Sequence, residues 1–148
     1  IESHFVEKTD ETHQIVKRVS IVPLEVIVRN ITTGSLCKRL GVKEGMVLAR
    51  PMIEFSYKDD ALGDPLINDD HAILLGWATE EEVSKIKSIA IRVDEVLKEF
   101  FAARGVTLVD FKLEFGKDSK GNLMLADEVS PSGLFCKGIL SDSKRELE

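Results

Sequence analysis

Asp110-Phe111-Lys112-Leu113-Glu114-Phe115 alternates between charged and apolar residues at every step. Only an extended strand sorts such a set cleanly, because successive side chains of a strand point to opposite faces. Phe111, Leu113 and Phe115 then share one face, and Asp110, Lys112 and Glu114 share the other. The run Lys117-Asp118-Ser119-Lys120-Gly121-Asn122 carries turn residues, and an apolar run resumes at Leu123. Strands over Val106 to Phe115 and Leu123 to Val129, joined by that turn, make an antiparallel hairpin. One face of it must be covered by a core layer. The other presents acid, base and acid in a row.

The covering layer is legible further back. Thr79 and Glu82 form a capping box, in which each side chain satisfies a backbone N–H at a helix start. Val83, Ile86, Ala90, Val93, Leu97 and Phe100 then recur at three- and four-residue steps, as the apolar stripe of a long amphipathic helix. Arg104 and Gly105 close it. Upstream, His13 to Val22 and Leu24 to Ile31 read as strands. The second places Leu24, Val26 and Val28 on one face and Glu25, Ile27 and Arg29 on the other. Pro23 is expected to interrupt the ladder or to sit at an edge. A short helix over Leu36 to Leu40 ends at Gly41. Val47 to Tyr57 is extended, with Pro51 at an edge or bulge, and a short helix runs from Asp69 to Leu75.

Strands at both ends and one long helix between them, without βαβ alternation, predict an α+β fold with an antiparallel sheet. At 148 residues, 43% hydrophobic and 31% charged, the chain can bury a core as one ordinary domain. There is no internal repeat.

Twenty Lys and Arg against 26 Asp and Glu leave a net charge of -6. That argues against a duplex nucleic-acid partner, which calls for a basic surplus. No apolar run has the length of a membrane span, and Cys37 and Cys136 are too few for a disulfide framework. A cytoplasmic protein with no membrane and no nucleic-acid partner is expected.

Three places carry chemistry. Across the hairpin, Glu114 and Asp127 come near each other beside Lys112. Two carboxylates suit magnesium, which takes hard oxygen ligands together with phosphate oxygens, and a lysine offers phosphate a point charge. By pattern alone the commoner role of such a face is solvation with cross-strand ion pairs. The second place is Arg29-Asn30-Ile31-Thr32-Thr33-Gly34-Ser35, where a strand runs into a helix start. Arg29 could grip an oxyanion with two hydrogen bonds and Ser35 could donate its hydroxyl, although Thr33 or Ser35 as a plain N-cap is the commoner pattern. The third is the loop Lys58-Asp59-Asp60-Ala61-Leu62-Gly63-Asp64-Pro65. His4, His13 and His71 have no metal-ligand spacing, Cys37 has no visible partner histidine, and Trp77 reads as a core or helix-start anchor.

Val22-Pro23-Leu24-Glu25-Val26-Ile27-Val28-Arg29-Asn30-Ile31-Thr32-Thr33-Gly34-Ser35 closely resembles the first signature of the SAICAR synthetase family. Leu108-Val109-Asp110-Phe111-Lys112-Leu113-Glu114-Phe115-Gly116 resembles the second. The Lys58-Asp59-Asp60-Ala61 and Asp64-Pro65 segments, and Ala126-Asp127-Glu128-Val129-Ser130-Pro131, are similar to further family segments in the same order. The resemblance runs from Ile1 to about Ser132. It implies part of the family's ATP-binding architecture, with residues 1–132 a central and C-terminal catalytic domain and 133–148 a divergent, poorly ordered tail.

The activity it implies is ATP-dependent ligation of L-aspartate to carboxyaminoimidazole ribonucleotide in purine biosynthesis, giving SAICAR, ADP and phosphate, with ATP and Mg²⁺ required. Carried over residue by residue, Lys112 is catalytic, and Glu114 and Asp127 hold the metal and the nucleotide. Lys58 also binds ATP, and Arg29, Gly34, Ser35, Asp60 and Asp64 bind substrate. Two departures set an alternative expectation, a truncated, non-catalytic nucleotide-binding remnant. The chain starts at Ile1, without the family's phosphate-covering Gly-Lys-x-Lys lobe. After Pro131, the family's Asp is Ser132, and no Arg follows until Arg145. Apolar surface left where that lobe docks is compatible with a homodimer.

Overall fold

The computed structural model describes residues 1–127, 129 and 133–138. The chain runs β1 (Phe5–Lys8), β2 (Gln14–Val16), β3 (Ser20–Ile31), α1 (Gly34–Leu40), β4 (Val47–Tyr57), a 3₁₀ turn (Asp60–Leu62), β5 (Leu66–Ile67), α2 (Asp69–Leu74), α3 (Glu80–Ala102), β6 (Val106–Lys117), β7 (Leu123–Ala126) and β8 (Leu134–Gly138). Six strands form one antiparallel sheet in the order β5-β4-β3-β6-β7, with β8 also paired to β6. The fold is α+β, as the alternation and the single long helix require. β1 and β2 make a separate hairpin. Its leading residues are tied to β7, where His4 N donates to Leu125 O and Leu125 N donates to Glu2 O.

The core lies between the sheet and α3. Val22, Leu24, Val26 and Val28 of β3, Phe55 of β4, and Phe111, Leu113 and Phe115 of β6 are buried against Val83, Ile86, Ala90 and Val93 of α3. The capping box is present in both directions. Glu82 N donates to Thr79 Oγ1 at 3.1 Å, and Thr79 N donates to Glu82 Oε2 at 3.0 Å. A second link ties helix to sheet below Val28. Asn30 Nδ2 donates to Asp94 Oδ1 at 2.6 Å, with Asp94 only 1% exposed. At Gly116 an added Cβ would lie 2.6 Å from Val19 Cγ2, so only glycine lets the chain before β3 cross so close to β6.

Several elements differ from the sequence reading in instructive ways. The strand expected over His13 to Val22 is broken: β2 ends at Val16 and β3 begins at Ser20. Pro23 interrupts the β3–β6 ladder as expected, but it does not end the strand. It lies inside β3, where the pairing with β6 shifts register between Ile21 and Glu25, so its missing N–H leaves no ladder position empty. Pro51 falls as expected within an irregularity, between the pairs Arg29↔Met52 and Ile31↔Val47.

Phe100, assigned to the apolar stripe, is 48% exposed and lies under the Arg104 guanidinium, while Phe101 packs on the core. A four-residue step from Leu97 was as open as a three-residue one, and packing selected it. β7 ends at Ala126, short of Val129, because Asp127 turns into the left-handed region at φ 57.

The poorly ordered tail expected from residue 133 is corrected at its start. Leu134–Gly138 is strand β8 on β6, with Leu134 and Cys136 packed on the core. Apolar side chains at alternate positions gave this segment a face to bury, which the charged residues after it masked. Ser132 and residues 139–148, including Arg145, lie outside the described residues. Among the described residues, no helix is long and apolar enough to cross a membrane.

Candidate functional site

The sheet face opposite the core carries the charges. Across β3 and β6, Glu25 pairs with Glu114, Ile27 with Lys112 and Arg29 with Asp110. Period-two alternation in both strands aims these side chains away from α3, so each candidate is placed by the same pattern that builds the core. Two clusters result, one at each end of this face.

At one end, Glu25, Lys58, Asp60, Asp64 and Glu114 line a cleft of about 420 Å³. Lys58 Nζ lies 2.5 Å from Glu114 Oε1, and Lys112 Nζ lies 3.1 Å from Glu25 Oε1. The loop from Lys58 to Asp64 is shaped by its own carboxylates. Asp59 caps the 3₁₀ turn by accepting from Leu62 N, and Asp64 Oδ1 accepts from Asp59 N at 2.9 Å. Asp64, itself at φ 47, therefore builds the loop as well as lining the cleft. The stacked rings of Tyr57 and Trp77, 3.9 Å apart, join the strand end just before Lys58 to the segment leading into α3. Trp77 is the helix-start anchor that its position suggested.

Glu114 is also the register partner of Ala126, so Asp127 follows directly after a residue paired with it. Left-handed backbone at a non-glycine residue costs energy, least for Asn and Asp. Here it swings Asp127 out of the ladder at the point where β7 ends. Glu114 and Asp127 offer the hard carboxylate oxygens that magnesium takes, so this donor set fits the ion chemically. Among the described residues, no three His, Cys, Asp or Glu side chains gather as a metal group. Phosphate oxygens and water are the other ligands that magnesium commonly takes.

At the other end sits Arg29, 5% exposed. Its Nε donates to Glu54 Oε2 at 2.8 Å, its Nη1 to Asp110 Oδ2 at 3.1 Å, and its Nη2 to Ser35 Oγ at 3.0 Å. Arg39 of α1 also pairs with Glu54. The open two-pronged grip expected of Arg29 is therefore not what is found. The fork is occupied by two carboxylates and a hydroxyl, and Arg29 acts as the hub that positions Ser35. Neither Thr33 nor Ser35 caps α1. Thr33 makes no side-chain cap bond and gives its hydroxyl to Glu44, and Gly34 enters the helix at φ 54, where a side chain would be strained.

Thr32 fastens the same turn. Its Oγ1 donates to Lys43 O and accepts from Met46 N. Burial raises the Asp110 carboxyl above its ordinary value, against the opposing pull of Arg29 and Lys112. Burial, with a smaller push from Asp110, raises the Cys136 thiol and keeps it protonated.

Of the residues singled out in the sequence, Lys58, Asp60, Asp64 and Glu114 converge on one cleft and Arg29, Gly34 and Ser35 on one turn. Lys112 stands between the clusters, joined to the first through Glu25. Glu25 and Glu54 were not singled out. Glu25 had a visible signal, since it shares the strand face of Arg29. Glu54 had none, because its partner lies 25 residues away.

An antiparallel sheet backed by one long helix, with paired lysines and carboxylates on its open face, defines the class as α+β. The model of the SAICAR synthetase family matches residues 1–134. A phosphoribosylaminoimidazole-succinocarboxamide synthase from Wolinella succinogenes is 57% identical over 132 residues, covering 88% of this chain and 56% of that protein. Among solved structures, a SAICAR synthetase in complex with ADP superposes with a TM-score of 0.91 at 45% identity, over 99% of this chain and 61% of that one. The SAICAR synthetase from Pyrococcus horikoshii OT3 gives 0.90 at 44% identity, over 99% and 63%. The chain belongs to the SAICAR synthetase family, and it spans a little over half the length of the curated relatives it matches.

Proposed function

We propose that this chain supplies the phosphate- and metal-handling face of an ATP-dependent ligase. In the reaction, a carboxylate of carboxyaminoimidazole ribonucleotide is activated by phosphoryl transfer, and the amine of L-aspartate displaces the phosphate to form an amide in purine biosynthesis. The observation that carries the reading is the cleft of Glu25, Lys58, Asp60, Asp64 and Glu114 with Lys112 alongside. Its support is the family membership and the ADP bound by a structural relative at 45% identity.

Glu114 and Asp127 would hold magnesium, which when bound offsets charge on the phosphate oxygens. Lys58 binds the nucleotide, and Lys112 faces the carboxylate that receives the phosphoryl group. Ser35, fixed by Arg29, donates its hydroxyl to the ribonucleotide at the other end of the face, beside Gly34. Asp60 and Asp64 shape the cleft wall where substrate amines and hydroxyls bind. The setting is cytoplasmic biosynthesis.

A second reading concerns this polypeptide alone. It covers 56% of a close relative, and phosphoryl transfer depends on positioning and on exclusion of water. On that reading, the chain binds nucleotide without turnover. A coupled ADP-release assay with ATP, Mg²⁺, L-aspartate and the carboxyaminoimidazole ribonucleotide separates the two. Turnover on the order of 1 s⁻¹ or more supports the ligase for this polypeptide, and MgADP binding without turnover supports the second reading. Absence of both turnover and binding refutes both.

A further inference from the structure

Glu25 lines the cleft but is assigned no ligand in the reading above; it faces the cleft from the central strand and its side chain is only 23% exposed. It stands directly opposite Glu114 in the β3–β6 ladder. Like charges in that position repel. The repulsion is relieved because each carboxylate takes a different lysine: Lys112 at 3.1 Å from Glu25 and Lys58 at 2.5 Å from Glu114. With Asp60 and Asp64, four carboxylates face two ammonium groups, a formal charge of -2. In that state, both lysines are already engaged, and a polyphosphate entering alone meets net repulsion.

We infer that Glu25 is a positioning residue that holds Lys112 beside the cleft and keeps polyphosphate out until a divalent cation has offset the carboxylates. The inference rests on the cleft being the nucleotide-phosphate site. The Lys112 side chain is 54% exposed, so its pair with Glu25 is partly screened and can be exchanged for a phosphate oxygen at small cost. Glu25 thereby makes anion binding conditional on cation binding. A merely structural Glu25 would strengthen the sheet and do nothing for the anion. The two roles predict opposite signs for one substitution. Glu25→Gln removes a negative charge and releases Lys112, so it should tighten the binding of bare polyphosphate.

The test is calorimetric titration of the chain with inorganic tripolyphosphate, with EDTA present and then with Mg²⁺, while circular dichroism checks the fold. Glu25→Gln should raise metal-free affinity about tenfold, the scale of one unit charge removed near a screened site. The enhancement by Mg²⁺ should shrink by a similar factor. Adding Lys112→Gln to Glu25→Gln should cancel the gain. Glu25→Asp, which keeps the charge, should stay near the parent. Glu95→Gln removes the same charge from the exposed surface of α3, where Glu95 pairs with Arg92, and should change nothing.

A folded Glu25→Gln with unchanged or weaker metal-free affinity overturns the inference. So does an equal gain in Glu95→Gln, which would mean a global charge effect. If the parent binds no tripolyphosphate even with Mg²⁺, the nucleotide reading of the cleft fails first and takes the inference with it.

Discussion

Arg29 Nη2 donates to Ser35 Oγ at 3.0 Å while the rest of the same guanidinium bridges Glu54 and Asp110. One buried cation thus joins β3 to β4, β6 and the start of α1. The turn that presents Ser35 is tied through Arg29 to three adjacent strands of the sheet. This arrangement changes what a substitution there should do. A surface arginine that only awaited a ligand could be exchanged for lysine with little effect on folding.

Arg29→Lys keeps the charge but replaces a planar fork with a single ammonium, which cannot serve Glu54, Asp110 and Ser35 together. Loss of about 2 kcal/mol of unfolding free energy is expected, from charged hydrogen bonds left unmade at a buried site. Urea denaturation measures it. A midpoint equal to the parent's would show that the three-way bridge contributes nothing to stability.

The link between Asn30 and Asp94 stands on the other side of the same strand. Asp94 is buried on α3, its second oxygen has no hydrogen bond among the described residues, and Lys98 Nζ lies 3.7 Å away. Asp94→Ala strands the Asn30 amide in the core and should cost about 1–3 kcal/mol. The double substitution with Asn30→Ala should cost less than the two single changes added together. Strict additivity in that cycle would mean that the two side chains do not support each other.

The pH dependence has opposite signs at two carboxylates. Burial tends to raise Glu82, but the Thr79 N–H and the Lys117 ammonium outweigh it and hold it below its ordinary value of 4.5. Its folded-state pKa is depressed, so its stabilising contribution is present above the unfolded value and is lost as pH falls through the folded one. Asp110, raised by burial despite Arg29 and Lys112, behaves in reverse. Its contribution is present at acid pH and is lost as pH rises through its folded value. Thermal melts from pH 7 to pH 3 on the parent and on Glu82→Gln isolate the first effect. The variant's advantage or deficit should change most below about 4.5. Parallel pH profiles for the two proteins would contradict it.

Much of this was legible in the sequence because one pattern sets both layers. The alternation in Asp110 to Phe115 fixed which side chains meet α3 and which form the open face, and the Thr79–Glu82 box marked where the helix begins. What local pattern could not supply was pairing at a distance. Glu54 reaches Arg29 from another strand, so Arg29 looked free. Phe100 and Phe101 were both allowed by helical spacing, and only the shape of the core chose between them. Leu134–Gly138 looked like the start of a loose tail, because nothing in five residues reveals that the first half of β6 still has an open edge.

The central claim is that Glu114 and Lys58 in the cleft, together with Asp127 just past the end of the adjoining strand, hold a magnesium-bound nucleotide. It is tested most directly by calorimetric titration of MgADP into the parent, Glu114→Gln and Asp127→Asn, each verified as folded. The parent should bind one equivalent, and each variant should bind at least about tenfold more weakly, the scale of one lost charged interaction. MgADP affinity that is the same in all three proteins would contradict the account.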